Sequence, residues 1–213
     1  MLRIALKSGT RHIIATPHYV YGNARYGFGT IAEKCTKFNK LAKSAGIDVM
    51  IYPGCEVYIN PELLELYDQR LIDTLNQSGY MLVEFPMTYI PPYADEILYK
   101  LQLRGITPII AHPERHGVIQ YNNEILENYI KRGILAEVNS GSITGLHGLA
   151  VKRTAMKLLE KGLVHFIASD AHSDRYRTPD LSKAARIVEK RFGTKTMEDL
   201  FTNNPMKLIS NSL

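Results

Sequence analysis

Short apolar runs alternating with amphipathic stretches, glycines that close those stretches, and ionisable residues gathered where the runs end predict an α/β fold of βα units around a largely parallel sheet. Six runs carry the strand pattern: residues 12–16, 49–52, 81–85, 107–111, 135–138 and 165–169. Each is short and apolar, and each ends at a polar or turn-forming group. Five stretches carry the helical pattern, at 30–45, 93–104, 123–132, 149–161 and 181–192. In the fourth of these, Val151, Ala155, Leu158 and Leu159 form an apolar stripe while Lys152, Arg153, Lys157 and Lys161 face outward. Gly46, Gly105, Gly133 and Gly162 stand where four of the helices must stop before the next strand. Residues 1–7 read as the closing turns of an amphipathic helix ended by Ser8-Gly9, with no strand ahead of it to complete a βα unit. Neither a linker nor a low-complexity segment breaks the alternation, so residues 1–213 are expected to form one domain.

A chain of 213 residues with 45% hydrophobic and 22% charged residues has an ordinary globular composition and needs no disulfide staples. Cys35 and Cys55 lie in unrelated contexts, which excludes a disulfide framework or a CxxC knuckle and points to a reducing compartment. No apolar run reaches the roughly 18–20 residues of a membrane span, and the opening residues lack a signal-peptide core. A cytoplasmic location is expected. The net charge of +5 favours anions in general. Its basic residues are interspersed with acidic ones along helices, and no recognised module supports nucleic-acid binding.

The chemistry lies at the strand ends, where α/β barrels place their reactive loops. Five clusters occur there: Thr16-Pro17-His18-Tyr19, Gly54-Cys55-Glu56-Val57, Val83-Glu84-Phe85-Pro86, Ala111-His112-Pro113-Glu114-Arg115-His116 and Ala168-Ser169-Asp170-Ala171-His172. Imidazoles and carboxylates in this mixture suit zinc, manganese or iron. Adjacent divalent ions need bridging anions against their mutual repulsion, and neutral imidazoles complete coordination without excess charge. Such ions activate water at neutral pH and neutralise phosphoryl oxygens during in-line attack. Arg115 and Arg177 are spaced to grip phosphate oxygens with paired N–H donors, which lysine cannot offer. A single histidine after a strand is more often structural, and the order of the whole set is what favours ligation. His12, His147 and His165 are read as structural. His116 follows His112 at the helical metal spacing, yet Pro113 breaks a continuous helix there. Cys55 lacks the surrounding Cys-x5-Arg loop of a thiol phosphatase and is read as a small buried residue.

In order and spacing, TPHY, GCEVYI, LVEFP, AHPERH and SDAHSDRYR resemble the manganese-dependent tyrosine phosphatases of the polymerase-and-histidinol-phosphatase (PHP) superfamily, encoded with capsule or exopolysaccharide operons in Gram-positive bacteria. The resemblance implies a distorted (β/α)7 barrel, similar to a TIM barrel, with up to three metal ions. It implies as substrate the tyrosine-rich tail of a bacterial tyrosine kinase that controls polysaccharide assembly. Matched by motif, Glu56 is the bridging ligand, Glu84 and His112 serve the second metal, His18 and His172 the third, and Asp170 the first. Arg115 and Arg177 match the phosphate-binding arginines. His112 and Asp170 are expected to take part in catalysis as well as in holding metal. Tyr19 and Tyr21 are placed to line the entry for an aromatic substrate. The family's first strand, with its His-x-His pair and a following aspartate, has no counterpart here. The expectation is therefore a barrel with its first strand missing, fewer bound metals, reduced activity and lower solubility. A histidinol-phosphatase-like enzyme and a non-catalytic phosphotyrosine or kinase binder are the alternatives, and an oligomer is possible.

Overall fold

The computed structural model describes residues 1–24 and 26–210. All six predicted strand runs form strands, and every pairing is parallel. They are β1 (His12–Ala15), β2 (His18–Tyr19), β3 (Met50–Pro53), β4 (Glu56–Tyr58), β5 (Tyr80–Glu84), β6 (Thr107–Ala111), β7 (Leu135–Asn139) and β8 (Phe166–Ala168). Eight arise from six because two strands are broken in the middle. Pairs β1·β3 and β2·β4 keep one continuous register, with His12 opposite Met50, Ala15 opposite Pro53 and His18 opposite Glu56. The break falls at Thr16-Pro17 on one strand, where proline has no N–H for a ladder, and at Gly54-Cys55 on the other. The larger sheet runs in the order β2-β4-β5-β6-β7-β8.

Helices α1 (Leu2–Lys7), α2 (Phe28–Ser44), α3 (Leu63–Asp68), α4 (Ala94–Leu103), α5 (Gly117–Tyr121), α6 (Glu124–Lys131), α7 (Ser140–Thr144), α8 (Leu149–Glu160), α9 (Ser182–Phe192), α10 (Thr194–Glu198) and α11 (Asn204–Lys207) fill the connections. The five long ones are those the periodicity predicts, within two residues at each end. Of the short ones, α1 matches the helix end expected over residues 1–7; the others escape prediction, because four to six residues are too few to show a 3.6-residue period. All four expected stop glycines take positive φ, between 66° and 82°.

Strand alternation divides the apolar residues between two faces. Val57, Met81, Val83, Ile110, Ala136, Val138 and Ile167 face the helices and form the main core with them. Leu82, Ile109, Ala111 and Phe166 face the opposite side, where they pack with Leu75 and Leu208. The sheet curls around this second cluster. Its two edges approach at one end of the sheet, where the rings of His18 on β2 and His172 after β8 lie 6.0 Å apart. Among the described residues no ladder joins β8 to β2, so the sheet is a curled half-barrel.

Candidate metal centre

Glu56, Glu84 and His112 come from three adjacent strands and converge above the inner apolar cluster. His112 Nε2 lies 2.9 Å from Glu56 Oε1 and 3.4 Å from Glu84 Oε1. His18 Nδ1 approaches the other oxygens of the same carboxylates, 3.6 Å from Glu56 Oε2 and 3.5 Å from Glu84 Oε2. Donor atoms of His18, Glu56 and Glu84 all fall within 4.8 Å of one another. A divalent ion bonded at about 2.0–2.2 Å spans donors up to about 4.4 Å apart, so this group fits an ion with small side-chain movements. Glu56 and His112 are buried and Glu84 nearly so, whereas His18 is half exposed and opens the site to solvent.

The electrostatics follow from this enclosure. Burial by itself would lower the proton affinity of His112, but its hydrogen bonds to Glu56 and Glu84 prevail and push it up to about 10. Burial raises the Glu84 carboxyl, and the His112 hydrogen bond outweighs it, leaving Glu84 below its ordinary range. His112 also bears backbone strain: it takes φ 35° directly before Pro113. Asp170 likewise has φ 47°. Left-handed non-glycine residues cost roughly 1–3 kcal/mol each and persist where the surroundings over-determine them.

The second half of the site forms around Asp170. Arg115 Nη1 lies 3.4 Å from Asp170 Oδ2, and Arg177 Nη2 donates to the same oxygen. Asn139 Nδ2 donates to it at 2.7 Å. His172 Nδ1 lies 3.0 Å from the Asp170 carbonyl oxygen and 3.5 Å from its Oδ1. Hydrogen bonds from the N–H groups of His172 and Ser173 to the Arg177 carbonyl fold this loop back on itself. All eight predicted site residues, His18, Glu56, Glu84, His112, Arg115, Asp170, His172 and Arg177, therefore lie at one end of the curled sheet. They form two linked groups, joined where the His18 and His172 rings meet.

Other positions behave differently from their sequence reading or were overlooked. Tyr19 is buried and belongs mainly to the core, while Tyr21 is exposed. Tyr19 still reaches a cavity of approximately 300 Å³ beside His18 that Pro17, Val20, Asn23, Tyr26 and Ile31 also line. His116 is buried, with its Nε2 3.1 Å from the Tyr89 carbonyl oxygen, behind the site. Glu114 sits in the His112–His116 cluster with no sequence signal of its own. It is fully buried, and its Oε1 accepts from the Asn139 N–H at 3.0 Å and from the Ser142 hydroxyl, which fixes the start of α7 beside Asp170. His147, structural by its sequence context, lies closer to the site than that context implies. Burial, then the charges of Arg115 and Arg177, hold it below its ordinary value, which brings it into the field of the arginine pair. Glu137 and Asn139 on β7 also face this end. Their signal in the sequence is a polar residue at alternate positions of an otherwise apolar strand.

Comparison with known proteins agrees with this geometry. Residues 1–210 match the family model for capsular polysaccharide synthesis, CpsB/CapC. The chain is 35% identical to the tyrosine-protein phosphatase YwqE of Bacillus subtilis over 211 residues, covering 99% of this chain and 83% of the relative. It is 32% identical to the tyrosine-protein phosphatase CpsB of Streptococcus pneumoniae, covering 100% of this chain and 90% of that one. A solved structure from a study of YwqE and CpsB, described there as unique metal-dependent tyrosine phosphatases, superposes with a TM-score of 0.94 at 36% identity, over 99% of this chain and 85% of the other. A curled parallel sheet, a histidine–carboxylate cluster at its C-terminal end and similarity along nearly all of these residues lead to one conclusion: the chain belongs to the CpsB/CapC family of capsular polysaccharide synthesis.

Proposed function

We propose that this chain is a metal-dependent protein-tyrosine phosphatase of capsule or exopolysaccharide synthesis. The observation that carries the reading is the meeting of two arginines with a histidine–carboxylate cluster at one mouth. Glu56, Glu84, His112 and His18 would hold divalent cations, with Asp170 and His172 extending the set. Manganese is the ion the motifs favour. Bound there, such ions supply Lewis-acid stabilisation of the phosphoryl oxygens and a nucleophile at neutral pH. The protein's own part is orientation. Arg115 and Arg177 present planar forks that match phosphate oxygens, and an incoming phosphate competes with the Asp170 carboxylate they now share. Glu114 and Asn139 keep Asp170 in place during that exchange.

An open mouth favours a peptide over a small metabolite. His18 and His172 are each half exposed, and Tyr21, Tyr89 and Tyr176 stand free around the chain's surface. The substrate we assign is the phosphorylated tyrosine-rich tail of a bacterial tyrosine kinase, met in the cytoplasm. Among the described residues no helix is long and apolar enough to cross a membrane. The finer architecture we assign is the seven-stranded PHP-type barrel, with residues 1–213 acting as one domain. The unpaired edges β2 and β8, whose C-terminal ends face each other, support a further strand between them.

Hydrolysis of a phosphotyrosine peptide and of histidinol phosphate, each with manganese and with a chelator, tests the assignment. Manganese-dependent turnover of the peptide, lost in R177K, is the expected result. Preference for histidinol phosphate, or turnover that survives chelation, overturns it.

A further inference from the structure

Strand β7 carries two polar side chains with no part in the ligand set above. Ala136 and Val138 are fully buried against the helices. Leu135, Glu137 and Asn139 alternate with them and face the inner side, where Leu135 packs beside Ile109 and Phe166. The register sets Glu137 between Ala111, the residue before His112, and Phe166 on β8. The charges acting on it come from Glu56, His112, Asp170 and Glu114. Three of those four are carboxylates. No hydrogen bond or ion pair reaches the Glu137 carboxylate among the described residues.

Asn139 is a second and independent sign. It is fully buried, its Nδ2 is committed to Asp170, and its Oδ1 has no partner among the described residues. A buried amide oxygen without a donor and a carboxylate crowded by like charges are both costly. One cation relieves both. Residues two apart on a strand share a face, so Glu137 and Asn139 both project to the inner side, where Asn139 Nδ2 meets Asp170.

We propose that β7 belongs to the metal centre, with Glu137 as a further carboxylate and Asn139 Oδ1 as a neutral oxygen donor toward a divalent cation at the Asp170 end. This rests on the metal-dependent reading of the site and adds residues that the strand-end motifs do not contain. Hard oxygen donors of this kind suit manganese or magnesium more than zinc.

Manganese titration followed by loss of the free-ion EPR signal tests the assignment on the wild type, E137Q, N139L and E84Q. E137Q and N139L are each expected to weaken one class of bound ion tenfold or more. E137Q is also expected to raise the Tm of the chelator-treated chain, since it removes an unpaired charge. That crossing of effects separates a cation-directed carboxylate from one that serves packing alone. E137L carries the same expectation and replaces E137Q should the glutamine variant not unfold cooperatively. Superimposable isotherms for wild type and the β7 variants, beside a weakened E84Q, overturn the role of β7 and leave the metal centre standing. Failure of the wild type to bind manganese overturns both.

Discussion

His112 leaves β6 in a left-handed conformation that its neighbour Pro113 disfavours, and the two carboxylates at its Nε2 hold it there. Its proton affinity is raised from an ordinary 6.5 to about 10. For a group raised on folding, the contribution to stability is present in full below pH about 6.5 and is lost as pH climbs through about 10. A divalent ion takes the imidazole only without its proton, so ion and proton compete for His112. Manganese affinity measured by calorimetry is therefore expected to rise steadily from pH 6.5 to 9, approaching tenfold per unit, with most of the slope absent in H112Q. A flat profile would show that His112 is not a ligand. Cys55 makes the contrary case. It is buried, its thiol is pushed up to about 11 by that burial, and its Sγ donates to the Asp73 carbonyl at 3.4 Å. C55A is expected to keep its turnover within twofold and to lose about 1 kcal/mol of stability in urea unfolding. Inactivation of C55A with its fold intact would revive a thiol mechanism.

Glu56 points into the centre because its strand is broken just before it. At Gly54 a Cβ would lie 2.8 Å from Ile14 Cγ2 and 2.9 Å from Leu75 Cδ2, distances that force the broken pair apart. G54A is therefore expected to cost about 1–3 kcal/mol by overpacking. It should also weaken manganese binding although residue 54 bears no ligand; unchanged affinity in a folded G54A would mean that the break does not aim Glu56. The same element shows what the sequence discloses. Apolar runs such as Met81-Leu82-Val83 and Ile109-Ile110 mark strands because a parallel sheet is covered on both faces. The long helices and the histidines and carboxylates at the strand ends could be read for the same local reasons. The breaks at Pro17 and Gly54 could not, since their effect depends on a register shared across 38 residues. Glu137 lay inside a predicted strand and was passed over, because only the curl decides that its face looks toward other carboxylates. His147 was missed similarly: the field of Arg115 and Arg177 around it comes from loops distant in sequence.

Across the whole molecule, the proposed ligands lie on elements that the backbone ladder leaves apart. His18 belongs to β2 and Asp170 follows β8, the two edges of the six-stranded sheet, while Glu56 opens β4, Glu84 closes β5 and His112 follows β6 between them. An edge lacks half its ladder partners and opens more readily than a central strand. Side-chain coordination that spans both edges opposes that opening without adding a backbone bond. Manganese at about 100 times its dissociation constant is expected to stabilise the chain by about 2.7 kcal/mol. At roughly 2–4 °C per kcal/mol for a chain of this size, the Tm should rise by about 5–11 °C. The gain should be uneven. Amide hydrogen exchange is expected to slow most at Tyr19 on β2 and at Ile167 and Ala168 on β8, and least at β5 and β6, which already have neighbours on both sides. Uniform slowing would mean that the ions act on global stability alone, and slowing confined to β5 and β6 would place them away from the edges altogether.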